Sequence, residues 1–431
     1  MVRITSQILL LVSIATAGCV GFVGRDGHSN SIDSIRDIKG RLSEVRGLVF
    51  TADVPIMFET KEALKERIKA EFEAGLGHLK REELSLAYAK LGLSPSEVDL
   101  RSSLLNYYAA QALGFYNSTT KSIALLARQD STTMSNVSLN QETSRILVHE
   151  LTHALQDQHF SLAEKLRPSQ NGDEILALRA VAEADAILTE YAYRFGGLED
   201  WVVDYVHQVV AAEPHESEFS DITAVVMDKM RFQHSAGMNF VARLSKRHGW
   251  LPVNLAYFYP PLSTEQILHP EKYFARPDPP TRIGLKGLGA LFSLEWRSIE
   301  NDTLGELLVQ CLFKQYLSAA DAALVANGWD GDRFVAFRNG DEVAFIWATV
   351  WDSLKDAGEF YDNYQKILSV KYSSRSFDSR FYIEIRGLSV IVVEGLDLGR
   401  VESNIGAIWS QISHEEEMFN PPPVRSLIGS H

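Results

Sequence analysis

Residues 149–159 read HELTHALQDQH. Histidines four positions apart share one face of a helix, so His149 and His153 can reach a single metal ion from adjacent turns. Imidazole nitrogen suits zinc, and three protein ligands plus one water make a catalytic zinc site. Glu150 lies about 100° around the helix from His149, which takes it out of the ligand set but leaves it able to reach a water. The chemistry implied is hydrolysis: a water made acidic by zinc attacks a polarised carbonyl. Glu150 is the general base and then passes the proton to the leaving amine. The bland alternative is a helix with two surface histidines and an exposed glutamate. Against it stands the apolar back formed by Ile146, Leu147 and Leu151.

The third ligand has three candidates. His159 fits the spacing HExxHxxxxxH, but that arrangement needs a glycine three residues after the second histidine, and here the residue is Gln156. A helix that continues carries His159 roughly 240° around from His153, towards a helix C-terminus that favours it. Glu183 lies in ALRAVAEADAILTEY, on a second helix whose alanines allow close helix approach. Asp185, two residues on and about 200° around, cannot easily ligate together with Glu183. It could instead accept a hydrogen bond from a ligand histidine. Glu183 is the preferred third ligand, its longer arm crossing a helix pair more easily; the plainer reading is a solvent-facing glutamate.

Several elements must position these groups. Periodicity predicts helices over 33–48, 63–79, 141–159 and 173–193, then around 198–212, 219–232 and 236–248. Residues 54–58 read as a strand and 114–127 as a hairpin, with a polar loop over 128–140. Pro260-Pro261 stops the helical run, and Ser263 to Gln266 is a capping box. Three prolines in RPDPPTR (276–282) mark a boundary. Beyond it come a helix at 304–326, a hairpin turning at Asn339-Gly340, a helix at 353–369, a second hairpin in FYIEIRGLSVIVVEG and a helix near 397–413. The tryptophans of 329–351 are expected to pack inward.

The composition is that of an ordinary globular protein, with a formal net charge of −14 and no basic stripe, which argues against nucleic-acid binding. The start, MVRITSQILLLVSIATAGC, reads as an export leader, its apolar run too short for a permanent span. Thr16-Ala17-Gly18-Cys19 also resembles a lipobox, so attachment to a membrane would be through a lipid on Cys19. The other cysteine, Cys311, reads as a lone buried thiol.

HELTHALQDQHF followed by ALRAVAEADA resembles a group of secreted or surface-attached bacterial and archaeal zinc metallopeptidases of the gluzincin type. Its members usually have Glu-Gly-Asp-Ala where this chain has Glu183, Ala184, Asp185 and Ala186. VRGL (45–48), DVPIMF (53–58), GFY (114–116), STEQILHPEKY (263–273) and GWDGDRF (328–334) extend the similarity over about residues 45 to 365. The family often has Asp where this chain has Asn117.

The resemblance implies an α+β, helix-rich fold: a zincin-like metallopeptidase core with a small twisted sheet, an active-site helix and a ligand helix, followed by a smaller α+β module with two β-hairpins. It also implies that a strand before the active-site helix, here Ser122 to Leu126, pairs with an extended peptide substrate. Such a hydrolase needs a donor for the developing oxyanion, for which Tyr116, His269 and His234 are candidates. The organisation expected is a leader over 1–19, a tether over 20–32, a catalytic domain over 33–282, a module over 283–415 and a flexible tail over 416–431. The function expected is that of an exported zinc peptidase, secreted, periplasmic or held at the cell surface, with one Zn2+ and a peptide or protein substrate. The alternatives are a non-catalytic surface or binding protein retaining that fold, and a zinc hydrolase acting on another amide or ester.

Overall fold

The computed structural model describes residues 12–14, 35–76, 81–95, 98–127, 139–166, 171–212, 224–285, 288, 295–373 and 380–415. The expected tether and tail, and all of the leader except Val12–Ile14, lie outside these residues. Among the described residues no helix is long and apolar enough to cross a membrane. The fold is α+β and rich in helix.

In the first half, β1 (Val12–Ile14) is followed by α1 (Ile35–Arg46), β2 (Ile56–Glu59), α2 (Lys61–Leu76), α3 (Arg81–Leu91) and α4 (Leu100–Gln111). A hairpin of β3 (Ala112–Asn117) and β4 (Ser122–Leu126) leads to α5 (Gln141–Phe160), α6 (Leu162–Lys165) and α7 (Gly172–Phe195). The strands form one mixed sheet in the order β1-β3-β4-β2, antiparallel except that β2 runs parallel to β4. Ser122–Leu126, expected from the resemblance to pair with an extended substrate, is therefore an interior strand. The crossover through α2 to α4 lets β2 cover one side of β4, and Val12–Ile14 pair with β3, so β1 and β2 are the edges of this sheet.

Both central helices are capped by sequence. Asn140 accepts from the Thr143 amide at 2.8 Å, and Asn171 from the Glu174 amide at 3.2 Å. Gly196, at φ 85°, ends α7 in the left-handed conformation that glycine adopts without strain. Each helix is buried almost all round, which ordinarily requires apolar residues on every face. Here the buried faces also carry histidines, acids and a glutamine, and these find partners in each other.

Then come α8 (Asp200–Ala212), α9 (Ala224–Arg231), a π-helical turn (Phe232–Ala236) and α10 (Gly237–Ser245). The two separate helices expected over 219–248 are thus one run with a π turn in the middle. Gly237 sits where it presses on α7: a Cβ there would come 2.4 Å from the Ala180 carbonyl oxygen. Next are α11 (Trp250–Phe258), α12 (Thr264–Leu268) and α13 (Glu271–Phe274).

The second half contains β5 (Arg282–Leu285), β6 (Arg297–Asp302), α14 (Gly305–Lys314), α15 (Ala319–Ala326), β7 (Trp329–Asn339), β8 (Glu342–Trp351), α16 (Leu354–Lys371), β9 (Phe381–Arg386), β10 (Ser389–Glu394), α17 (Leu398–Ser410) and β11 (Ile412–Glu415). A five-stranded sheet runs β6-β7-β8-β10-β9, and β5 pairs with β11. Both expected hairpins form, the first turning at Gly340 with φ 57°. The expected helix over 304–326 is two helices, because Ser318 caps the second by accepting from the Asp321 amide at 3.1 Å. Trp329, Trp347 and Trp351 are buried, and Asp332 accepts from the indoles of Trp329 and Trp347. Cys311 is buried on α14. One apolar core runs through both halves, from Leu42 and Leu147 to Trp347 and Val392.

Candidate metal centre

α5 and α7 pack against each other and bring His149, His153 and Glu183 together, all three buried. The Nε2 atoms of the histidines are 3.1 Å apart. Glu183 Oε2 is 3.5 Å from the first and 3.8 Å from the second. Two ligands each 2.0–2.1 Å from one tetrahedral zinc lie roughly 3.3 Å apart, so the three donor atoms fit a single ion. Two imidazoles and a carboxylate are also a zinc-type donor set.

Each histidine is held at its other nitrogen. His149 Nδ1 donates to Glu190 Oε1 at 2.6 Å, and Arg145 donates to the second oxygen of that carboxylate at 2.7 Å. His153 Nδ1 lies 2.8 Å from Gln156 Oε1. The Gln156 amide nitrogen donates to the Ala182 carbonyl and to Asp185 Oδ2, each at 3.0 Å. Outer partners of this kind orient ligand histidines and fix their ring positions.

The local charges favour a cation. Burial works against a charge on His149, but Glu183, Glu190 and Glu150 outweigh it and raise the imidazole to about 10. Burial would likewise raise Glu183, yet His153, His149 and His234 hold it down to about 2. His153 is lowered, chiefly by burial. Glu150 is fully buried on the same helix.

The structure separates the remaining candidates. α5 continues through Gln156, and His159 donates to the Val49 carbonyl at 2.7 Å, away from the cluster. Asp185 takes a bidentate contact from Arg46 at 2.9 and 3.0 Å, so it reaches His153 only through Gln156. Tyr116 donates to Asp157 at 2.8 Å, and the same carboxylate takes the Lys121 ammonium. Burial and Asp157 push the Tyr116 hydroxyl upward, which keeps it a donor to that partner. His269 faces Glu306 at 3.0 Å. That contact adjoins Thr264, which donates to Asp173 in the first turn of α7. Asp173 is ten residues before Glu183, about 15 Å along the helix axis. Neither Tyr116 nor His269 joins the cluster.

His234 lies on the π-helical turn packed across α7, three residues before Gly237, and its charge state is coupled to Glu183, His149 and Glu190. Burial lowers it, so it stays neutral at pH 7 and retains one N–H. A π turn is frequent at functional sites. The sequence holds one signal for this placement, the small residues of HSAG that let the turn approach α7. Gln156, Glu190 and Arg46 are given no role by the quoted motifs, and spacing alone does not single them out. Residues 128–138, most of the expected polar loop, lie outside the described residues.

A family model described as a domain of unknown function (DUF8575) matches residues 293–403. The matched stretch falls inside the 283–415 module and contains none of the clustered residues. No curated protein and no solved structure matches the chain.

Proposed function

We propose that the chain is an exported zinc-dependent peptidase with a zincin-like core, in which His149, His153 and Glu183 hold one zinc ion. One observation carries the reading: two imidazole nitrogens and a carboxylate oxygen from two packed helices lie 3.1–3.8 Å from one another. A bound zinc would acidify a water and polarise the scissile carbonyl. Glu150 accepts the proton of the attacking water and delivers it to the leaving amine. His234, neutral and on the π turn packed against α7, would donate its N–H to the oxygen on which charge gathers. Glu190 and Gln156 keep both imidazoles turned with Nε2 inward.

The peptide would pair as an added strand with β3, in the place that Val12–Ile14 take in the full chain, in register with Ala112 to Phe115. Removal of the leader would free that side of β3. Metal analysis of purified protein, with casein or peptide-library cleavage by wild type and Glu150→Gln, tests the reading. The expected result is one zinc per chain in both and cleavage by the wild type only. Equal cleavage by both proteins would remove the role given to Glu150.

A further inference from the structure

We infer that Arg46 and Asp185 are positioning residues: acting through Gln156, they hold His153 in the tautomer whose Nε2 is open to a metal. The inference rests on the metal reading above but concerns residues that reading does not assign. A glutamine amide has a donor end and an acceptor end, and nothing about its shape decides which way round it sits. Here its surroundings decide. One end of the Gln156 amide lies 3.0 Å from the Ala182 carbonyl oxygen and 3.0 Å from Asp185 Oδ2. A carbonyl and a carboxylate only accept, so that end must be the NH2. The oxygen is thereby turned to His153 Nδ1 at 2.8 Å, and an oxygen facing Nδ1 requires Nδ1 to carry the proton. A neutral imidazole protonated at Nδ1 has its lone pair on Nε2, the atom facing His149 and Glu183.

Asp185 can impose this polarity because it is held as an acceptor. Arg46 grips both its oxygens from α1, and both side chains are fully buried. Tyr257 donates to Asp185 Oδ2 at 2.8 Å. Arg46 is fixed in turn by a hydrogen bond to Asn254 Oδ1 at 2.8 Å and by the Trp250 ring 4.4 Å away. The relay therefore runs from α1 and α11 through α7 to α5. His149 needs no such relay, because its Nδ1 meets the Glu190 carboxylate directly.

The test reads the tautomer itself. Long-range proton–nitrogen correlation spectra of the imidazoles in metal-free protein distinguish Nδ1–H from Nε2–H, and competition with a chromophoric chelator gives zinc affinity. The wild type is expected to show Nδ1–H at His153. Gln156→Met, which removes the acceptor with little change in volume, is expected to bind zinc about 10- to 100-fold more weakly. Asp185→Asn, which offers an NH2 where only an acceptor stood, is expected to give a mixture of His153 tautomers and about tenfold weaker binding. Should Asp185→Asn fail to fold, the double variant Arg46→Met with Asp185→Asn removes both buried charges together and reads the same contact. An Nε2–H tautomer in the wild type overturns the inference. So does retention of zinc affinity within twofold in both Gln156→Met and the Asp185 variant. Nδ1–H in a wild type that binds no zinc would sink the peptidase reading and leave the relay standing.

Discussion

Among the described residues two groups of side chains are spaced closely enough to hold a metal ion: His149, His153 and Glu183 in one, Glu265, Asp278 and Asp352 in the other. Each contains a buried glutamate, and the two glutamates behave oppositely. Glu183 is held down to about 2, whereas burial pushes Glu265 up to about 9. Burial raises both; what differs is the positive charge each one meets. Glu183 faces two imidazoles, and the charge of His234 acts in the same direction. Glu265 has one ammonium, Lys272, at 2.6 Å, and that ammonium is shared with Asp278 at 2.9 Å and Asp352 at 2.8 Å. Lys272 itself is held charged by the three acids, although burial opposes it. The two ends of the Glu265 contact thus pull apart, because one ammonium cannot satisfy three carboxylates while Glu306 adds a further negative charge nearby. Proximity of acids alone does not make a metal centre. The second group already has its cation in the chain and works as a clamp between α12, α13 and the end of β8. The first turns two imidazole Nε2 atoms toward Glu183, each ring held at Nδ1 by an outer acceptor.

The largest expected effect tests what the first group is for. Glu150→Gln should lower peptide hydrolysis by roughly 10²- to 10⁴-fold, the usual contribution of a general base, with zinc content unchanged. Next comes the separation of the two groups by metal content. Glu183→Gln should drop zinc from about one ion per chain to a small fraction, because removal of one of three ligands opens the site. Glu265→Gln should leave zinc content untouched. Metal analysis by mass spectrometry decides, and zinc loss in the second variant alone would reverse the assignment.

A smaller effect concerns protons. His149, raised to about 10, is protonated at pH 7 in the metal-free protein, and a metal needs the bare nitrogen. Zinc uptake should therefore release about one proton, and affinity should rise with pH towards that value. Calorimetric titrations in buffers of different ionisation enthalpy measure the release.

Lys272→Met should lower stability by about 2 kcal/mol, read from urea unfolding. With Glu265 carrying its proton, the ion pairs lost are those to Asp278 and Asp352, and their partial exposure brings the value below that of a buried pair. The smallest effect is a slope. In the folded chain Glu265 keeps its proton up to about pH 9, whereas an ordinary glutamate loses it near 4.5. The folded state thus binds more protons between those values, and stability falls as pH rises through that window. Glu265→Gln should flatten part of this fall relative to wild type. An unchanged slope in thermal unfolding from pH 5 to 9 would mean that Glu265 ionises normally.

The elements of the fold were legible wherever period and caps agreed. Asn140 and Asn171 begin α5 and α7 where the pattern of apolar residues begins, and Asn339-Gly340 turns the β7–β8 hairpin. The misses share a cause. Ser318 is an ordinary polar residue until its side chain caps α15, and the π turn at 232–236 reads as plain helix because its extra residue leaves the apolar spacing nearly intact. The interior place of β4 depends on β2, more than sixty residues earlier, and no local pattern encodes that pairing.

By itself the sequence determined that two histidines share one helix face with a glutamate beside them, since the helical period follows from backbone geometry alone. It also weighed against His159, because Gln156 allows the helix to continue, without settling the choice among His159, Glu183 and Asp185. Only the tertiary structure decided which acid from another helix lies beside the two histidines, that Tyr116 and His269 lie elsewhere, and that Gln156 meets His153. Those choices depend on how α7, α11 and the π turn approach α5. Such approaches are set by packing summed over many distant contacts, which no short stretch of sequence contains.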